Sequence, residues 1–199
     1  MNRSLGHLFL AGSAALAFSF ASSSAFAQAK VFEISSTTFK DGGMLPVKAA
    51  NKNPGNNPNC VGENVSPQLS WVNTPAGTKS FALLMVDPEG RGGAGVNHWV
   101  AYGIPADVTG FAEGEVSKEG PKYVGGKSTQ GVGFYSGPCT PPAVQPHHYT
   151  FVLVATDMEP TEMAPGLTKD EVTAKIVPQG AASRAKGSAG IVGLFVKPN

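Results

Sequence analysis

Four titratable side chains stand at the ends of apolar runs: Asp87, Glu89, His98 and His147, with His148 next to the last. In FALLMVDPEGRGGAGVNHWVAYGIP (81–105) a carboxylate leaves one run and an imidazole enters the next. In GFYSGPCTPPAVQPHHYTFVLVATD (133–157) a Gly/Pro loop again delivers an imidazole to an apolar run. The two junctions are expected to face one pocket, where these acids and imidazoles can ligate a metal or trade protons. They can equally bind an anion or phosphoryl group through imidazole and loop N–H donors. Neither H-E-x-x-H nor G-x-S-x-G is present, and Ser66, Ser128 and Ser136 lie in loops without a nucleophile pattern. A single His at a strand end is as a rule a hydrogen-bonded structural residue. Pairing two of them with Asp87 adds only modestly to the case for a site, so spacing alone leaves the three chemistries open.

The elements that must position these groups read as strands. Residues 81–86 and 98–104 flank EGRGGAGVN, a loop with four glycines and only Val96 suited to a core. The run 149–156 is the strongest strand, and its continuous apolar character predicts burial on both faces in the middle of a sheet. Alternation over 30–40 predicts a first strand, 44–50 a second and 68–72 a third. The polar segment 51–67 is long for a compact domain and is expected to be functional. A helix is predicted after Thr168, with Glu171 at capping-box spacing, Val172 and Ile176 on one face, and Pro178 as the stop. The tail SAGIVGLFVKP predicts a last strand. Many short strands and one late helix indicate a mainly β fold, an antiparallel β-sandwich with Greek-key character. Trp71 and Trp99 are expected in its core.

Residues 1–27 have the form of a secretory signal peptide. Arg3 is the only charge, an apolar stretch spans 5–20, and Ala25-Phe26-Ala27 fits an A-x-A cleavage site. Removing it leaves a single domain, 28–199, long enough for a substantial core, and no other segment is apolar enough to span a bilayer. The whole chain carries 15 Lys and Arg against 14 Asp and Glu, with no basic run, which argues against nucleic acid or anionic membrane as a partner. Cys60 and Cys139 are the only cysteines. In an oxidising compartment such a pair tends to close. A bridge over their 79-residue separation stabilises by roughly 4 kcal/mol in the chain-entropy description.

The stretches CVGENVSPQLSW (60–71), TKSFALLMVDPE (78–89), NHWVAYGIP (97–105) and the 133–157 segment together resemble the phosphatidylethanolamine-binding protein family, in its bacterial Raf-kinase-inhibitor-like branch. The family pattern runs D-P-D/E, then H-W-x-x-x-x-I-P, then G-P-x-P-P followed by H-R-Y/F. The resemblance covers nearly the whole chain after the leader. It implies an antiparallel Greek-key β-sandwich with a small pocket for phosphate and phosphoethanolamine-like head groups. Placed on this sequence, the acids fall on Asp87 and Glu89 and the first imidazole on His98. The pocket wall falls on Gly137, Pro138, Pro141 and Pro142, and the last motif on His147, His148 and Tyr149. The sequence departs from the pattern in three places. Glu89 replaces the commoner Asp. Cys139-Thr140 separates Pro138 from Pro141. His148 replaces an Arg, removing a permanent charge and a bidentate donor and leaving any pairing or anion attraction there dependent on pH.

Asp87 is expected to fix one imidazole's tautomer; Tyr149 either donates a hydroxyl or packs. The expectation carried forward is a periplasmic or secreted binding protein for a small anionic or phosphoryl ligand, without catalysis, metal or cofactor. The alternative is an inhibitor or partner-binding protein acting on an exported enzyme, with 51–67 and 120–137 as its contact surface. A metal-dependent hydrolase built on Asp87, Glu89, His98 and His147 ranks last, because no nucleophile motif supports it.

Overall fold

The computed structural model describes residues 30–52, 54–142 and 145–198. The 1–27 leader and its cleavage site lie outside them.

Among the described residues, nine strands form two sheets. The larger has the order β2-β9-β8-β4-β5-β7 and the smaller β1-β3-β6, where β1 is Glu33–Ser35, β2 Gly43–Met44, β3 Leu69–Val72, β4 Ser80–Asp87, β5 Val96–Pro105, β6 Gly110–Phe111, β7 Val124–Gly125, β8 His147–Thr156 and β9 Ala185–Phe195. The apolar run SFALLMVD makes β4 an inner strand, antiparallel to β5 on one side and β8 on the other. Pro88 follows at once and has no N–H to continue a ladder, so β4 stops at Asp87. The chain leaves this sheet after β5, adds β6 to the small sheet and returns through β7 to β8. That excursion makes sequence-distant β4 and β8 neighbours, which is what the site requires.

The core lies between the sheets. Trp71 and Phe111 of the small sheet pack against Phe81, Met85, Trp99 and Phe151 of the large one. The Trp71 ring meets Phe81 edge-on at 5.5 Å and Phe111 at 5.7 Å. Such aromatic pairs add about 0.5–1.5 kcal/mol each beyond the area they bury. The outer face of β4 and β5 is covered as well: Ala82, Leu84, Val100 and Tyr102 pack under Met158, Met163, Val172 and Ile176. The last two come from the helix Lys169–Ile176. Thr168 caps it, its hydroxyl accepting from the Glu171 N–H while the Glu171 carboxylate accepts from the Thr168 N–H, as the spacing predicted.

Four expectations are corrected. The first strand is three residues long, not eleven. Residues 44–50 form no strand: Met44 ends β2, and Pro46 leads into a 3-10 turn over Val47–Ala49. The two residues of β2 run parallel to β9, so the sandwich is not wholly antiparallel. In β8, alternate residues Tyr149, Phe151, Leu153 and Ala155 are buried while Thr150, Val152 and Val154 are half-buried. The covering helix layer is centred on β4 and β5 and reaches β8 only at Val154. The strands buried on both faces are therefore β4 and β5.

Candidate functional site

Asp87 ends β4 and is 2% exposed. Its Oδ1 accepts the backbone N–H groups of Glu89 and Gly90, both at 3.0 Å, a local turn that Asp stabilises with its own side chain. Gly90 makes this turn fit: a Cβ there would lie 2.6 Å from Val96 Cγ2 and 3.1 Å from Asp87 Oδ2. With Oδ1 saturated, Oδ2 is left for other partners. His147, the first residue of β8, donates its Nδ1–H to it at 2.8 Å. An ionised carboxylate only accepts, so Nδ1 carries the proton and Nε2 is the free nitrogen of that ring. Residues 60 positions apart thus meet at the adjacent ends of β4 and β8.

His98 reaches the same place through a β-bulge. Met85 pairs with Trp99 and Val86 with Asn97, so His98 is the extra residue of β5 with no partner on β4. A bulge re-aims the side chain at the break. The ring is 3% exposed, and its Nδ1–H donates to the Ser136 carbonyl at 2.7 Å. Burial holds its pKa below the ordinary histidine range, against the opposing pull of the Ser136 carbonyl and the Asp87 charge. The ring is therefore neutral, with a bare Nε2 that stands 4.0 Å from Asp87 Oδ2.

Tyr149 packs edge-on against His98, ring centres 5.1 Å apart. It is fully buried, and its hydroxyl completes no hydrogen bond of ordinary geometry, although the Asp87 carboxylate lies close by. Burial first, and the Asp87 charge second, push its pKa up, so it remains a neutral donor. The Thr140 hydroxyl, 2% exposed, is likewise unpartnered. The other two unpartnered groups among the described residues are the indole N–H groups of Trp71 and Trp99, which lie among aromatic rings in the core.

These groups line a cavity of about 280 Å³, together with Asn51, Asn57, Arg91, Gln130 and Pro141. Cys60 and Cys139 form a disulfide, and both line it too. The disulfide joins the 51–67 segment to the Gly/Pro loop, beside hydrogen bonds from Asn51 N–H to the Pro138 carbonyl (2.8 Å) and from the Asn51 side-chain amide to Ser136 Oγ (2.7 Å).

The remaining residues expected at the site lie outside the cavity. Gly137 is a packing position, where a Cβ would come 2.0 Å from the Ala49 carbonyl oxygen, and its N–H donates to Asn64 Oδ1. Pro138 is buried behind the wall and Pro142 is exposed outside it. Glu89 turns away to His148, accepting its backbone N–H at 3.1 Å and pairing with its ring Nδ1 at 2.8 Å. Desolvation pushes the Glu89 pKa up, but the bonds to His148, with lesser ones to its own backbone and Asp87, together outweigh it and the net shift is downward. The residue that stands in place of the family Arg is thus bound to the second acid.

Sequence reasoning missed Arg91, Thr140, Asn51, Asn57 and Gln130. Arg91 could have been found, since it is the one charge among the glycines between Asp87 and His98 after Glu89. It sits at φ 55° on the turn Gly90–Gly93. Chemically, the cavity offers donors from Arg91, Tyr149, Thr140 and amide side chains, and an Asp-oriented imidazole. Donor atoms of Asp87, Glu89 and His147 lie within 4.8 Å of one another and could hold a metal, at the cost of the His147–Asp87 and His148–Glu89 bonds. Among the described residues no serine lines the cavity, and its cysteines are oxidised.

Among known proteins, the family model described as phosphatidylethanolamine-binding protein matches residues 35–187. The UPF0098 protein YbcL of Escherichia coli K12 is 36% identical over 137 residues, covering 67% of this chain and 73% of its own. The putative lipoprotein LppC of Mycobacterium tuberculosis is 33% identical over 167 residues, covering 84% of this chain and 73% of its own. The crystal structure of E. coli YbcL, described as a new member of the mammalian PEBP family, superposes with a TM-score of 0.71 at 29% identity, over 83% of this chain and 98% of that one. A putative homologue from Chlamydia trachomatis superposes with a TM-score of 0.67 at 26% identity, over 84% and 98%. With the family model matching residues 35–187 and relatives of this identity and coverage, the chain belongs to the phosphatidylethanolamine-binding protein family.

Proposed function

We propose that this chain is an exported, non-catalytic binding protein whose cavity seats a small phosphoryl-type anion. The observation that carries the reading is the pair of buried hydroxyls, Tyr149 and Thr140, that complete no hydrogen bond of ordinary geometry and line the cavity alongside Arg91. Hydroxyls and a guanidinium donate, and phosphoryl oxygens accept, with charge-assisted bonds the strongest of the set. Asp87 does not face the ligand as a bare charge, because Oδ1 takes two backbone N–H groups and Oδ2 takes His147. Its part is to hold His147 so that, when protonated, the ring donates from Nε2 while staying paired. Export is supported by the form of residues 1–27 and by a disulfide of the kind that persists in oxidising compartments. It is also supported by the name of the mycobacterial relative, a putative lipoprotein.

Calorimetric titration with inorganic phosphate and phosphoethanolamine tests the reading, beside His147→Ala. Saturable binding that the substitution abolishes is the expected result. A folded protein that takes up neither ligand sinks it and moves the expectation to a protein partner. Stoichiometric zinc retained through desalting would instead favour a metal-dependent activity at Asp87, Glu89 and His147.

A further inference from the structure

We propose that the phosphoryl cavity continues into a second one that selects ligands whose organic arm carries both an ammonium and a carboxylate, the O-phosphorylated amino acids being the simplest. The inference rests on the phosphoryl reading of the first cavity. The second cavity, about 420 Å³, shares Asn51 and Gln130 with the first. Ser136 ties the two together: its carbonyl holds the His98 ring of the first, while its hydroxyl accepts from Asn51 and lines the second. A ligand running from one to the other passes along Asn51 and Gln130.

Two exposed charges of opposite sign, Lys52 and Glu63, line the second cavity. Among the described residues neither forms an ion pair, with the other or with any third group. Their backbones are fixed, Lys52 by an antiparallel bridge to Val61 and Glu63 by an N–H bond to the Lys48 carbonyl at 3.2 Å. A plain anion is attracted by one of these charges and repelled by the other, whereas a zwitterion satisfies both. Val132 and Phe134 supply apolar surface for the carbon atoms between its poles. Phosphoethanolamine, lacking the carboxylate, leaves Lys52 unused.

The test is calorimetric titration with inorganic phosphate, O-phosphoserine and O-phosphoserine blocked at both its amino and carboxyl ends, on the protein and on Lys52→Gln and Glu63→Gln. Exposed charge pairs contribute about two- to fivefold each, so O-phosphoserine is expected to bind about tenfold tighter than phosphate or the blocked compound. Each substitution should remove about two- to fivefold of that preference and leave phosphate affinity unchanged. Both charges lie at the surface, so neither variant endangers the fold. Equal affinity for O-phosphoserine and the blocked compound overturns the inference while leaving the first cavity's reading intact. Failure of all three ligands to bind folded protein overturns that reading itself.

Discussion

Replacing Tyr149 with Phe should make the ligand-free protein more stable and its grip on phosphate weaker. The hydroxyl is fully buried and unpartnered. Burying a polar group without a partner costs about 1–3 kcal/mol. The nearby Asp87 carboxylate recovers part of this loss, so the low end, about 1 kcal/mol, is the gain expected from Phe. In a domain of this length that corresponds to a rise in Tm of about 2–4 °C. The ring itself is retained, so the edge-on contact with His98 at 5.1 Å and the buried apolar area are unchanged. With phosphate bound the sign reverses. A hydrogen bond to a charged group is worth about 1.5–3 kcal/mol, so affinity should fall roughly 10- to 100-fold. Urea unfolding of the free variant and calorimetry with phosphate measure the two halves separately. A Phe variant that is less stable and binds phosphate as well as the parent would refute the reasoning, because the hydroxyl would then be bonded inside the protein rather than reserved for a ligand.

Arg91→Gln should lower phosphate affinity by about tenfold, the worth of one charge-assisted contact, and flatten its dependence on salt; unchanged affinity at low ionic strength would remove Arg91 from the site. Cys60→Ser combined with Cys139→Ser should cost up to about 4 kcal/mol in urea unfolding and also weaken phosphate binding, because both residues line the cavity; a loss of stability with affinity intact would make the bridge a staple only. The pKa of His98 is lowered in the folded state, first by burial, so between that lowered value and the ordinary one, about 6.5, the unfolded chain binds more protons than the folded one. Its contribution to stability is therefore whole above about pH 6.5 and is lost as pH falls through the window below. Stability measured by urea from pH 7.5 downward should drop more in the parent than in His98→Gln, and equal slopes would contradict a buried neutral ring.

Much of the site was legible because its sequence signals are local. A run of strand residues that stops at Asp-Pro places a carboxylate at a strand end whatever the topology, and a Gly/Pro loop feeding HHYTFVLVAT does the same for an imidazole. What brought the two within 2.8 Å is the β4–β8 pairing, which no local pattern specifies, although the repeated loop-and-strand arrangement led to the expectation that the two junctions face one pocket. The position of His98 was harder to read. In an unbroken ladder Asn97, His98 and Trp99 would alternate between faces. The bulge that excuses His98 from pairing leaves no mark in NHWVAYGI. The second acid stands beside the Asp87–His147 pair but does not line the cavity, because Glu89 takes both the backbone and ring N–H of His148. The short β2 defeated periodicity because two residues carry no period.

Several unfavourable features gather at the cavity, although the unpartnered indole N–H groups of Trp71 and Trp99 lie elsewhere in the core, and that gathering is informative. Arg91 holds a left-handed backbone angle, His98 is a buried imidazole kept neutral, and Tyr149 and Thr140 hold hydroxyls out of water without partners. Each of these is destabilising on its own account, and all four line the one cavity. At the other end of the same strands Phe81, Leu83, Ile104 and Leu153 are wholly buried, the face beneath the helix is sealed by Val172 and Ile176, and Ser80 and Thr156, also buried, satisfy each other at 3.0 Å. The sandwich can bury polar groups with partners, as Ser80 and Thr156 do. Strain left unrelieved at one end of a well-packed sheet is what a preorganised ligand site requires. A ligand able to quench these groups together must accept from two hydroxyls and a guanidinium within a few ångströms, and a tetrahedral oxyanion has the oxygens to do so.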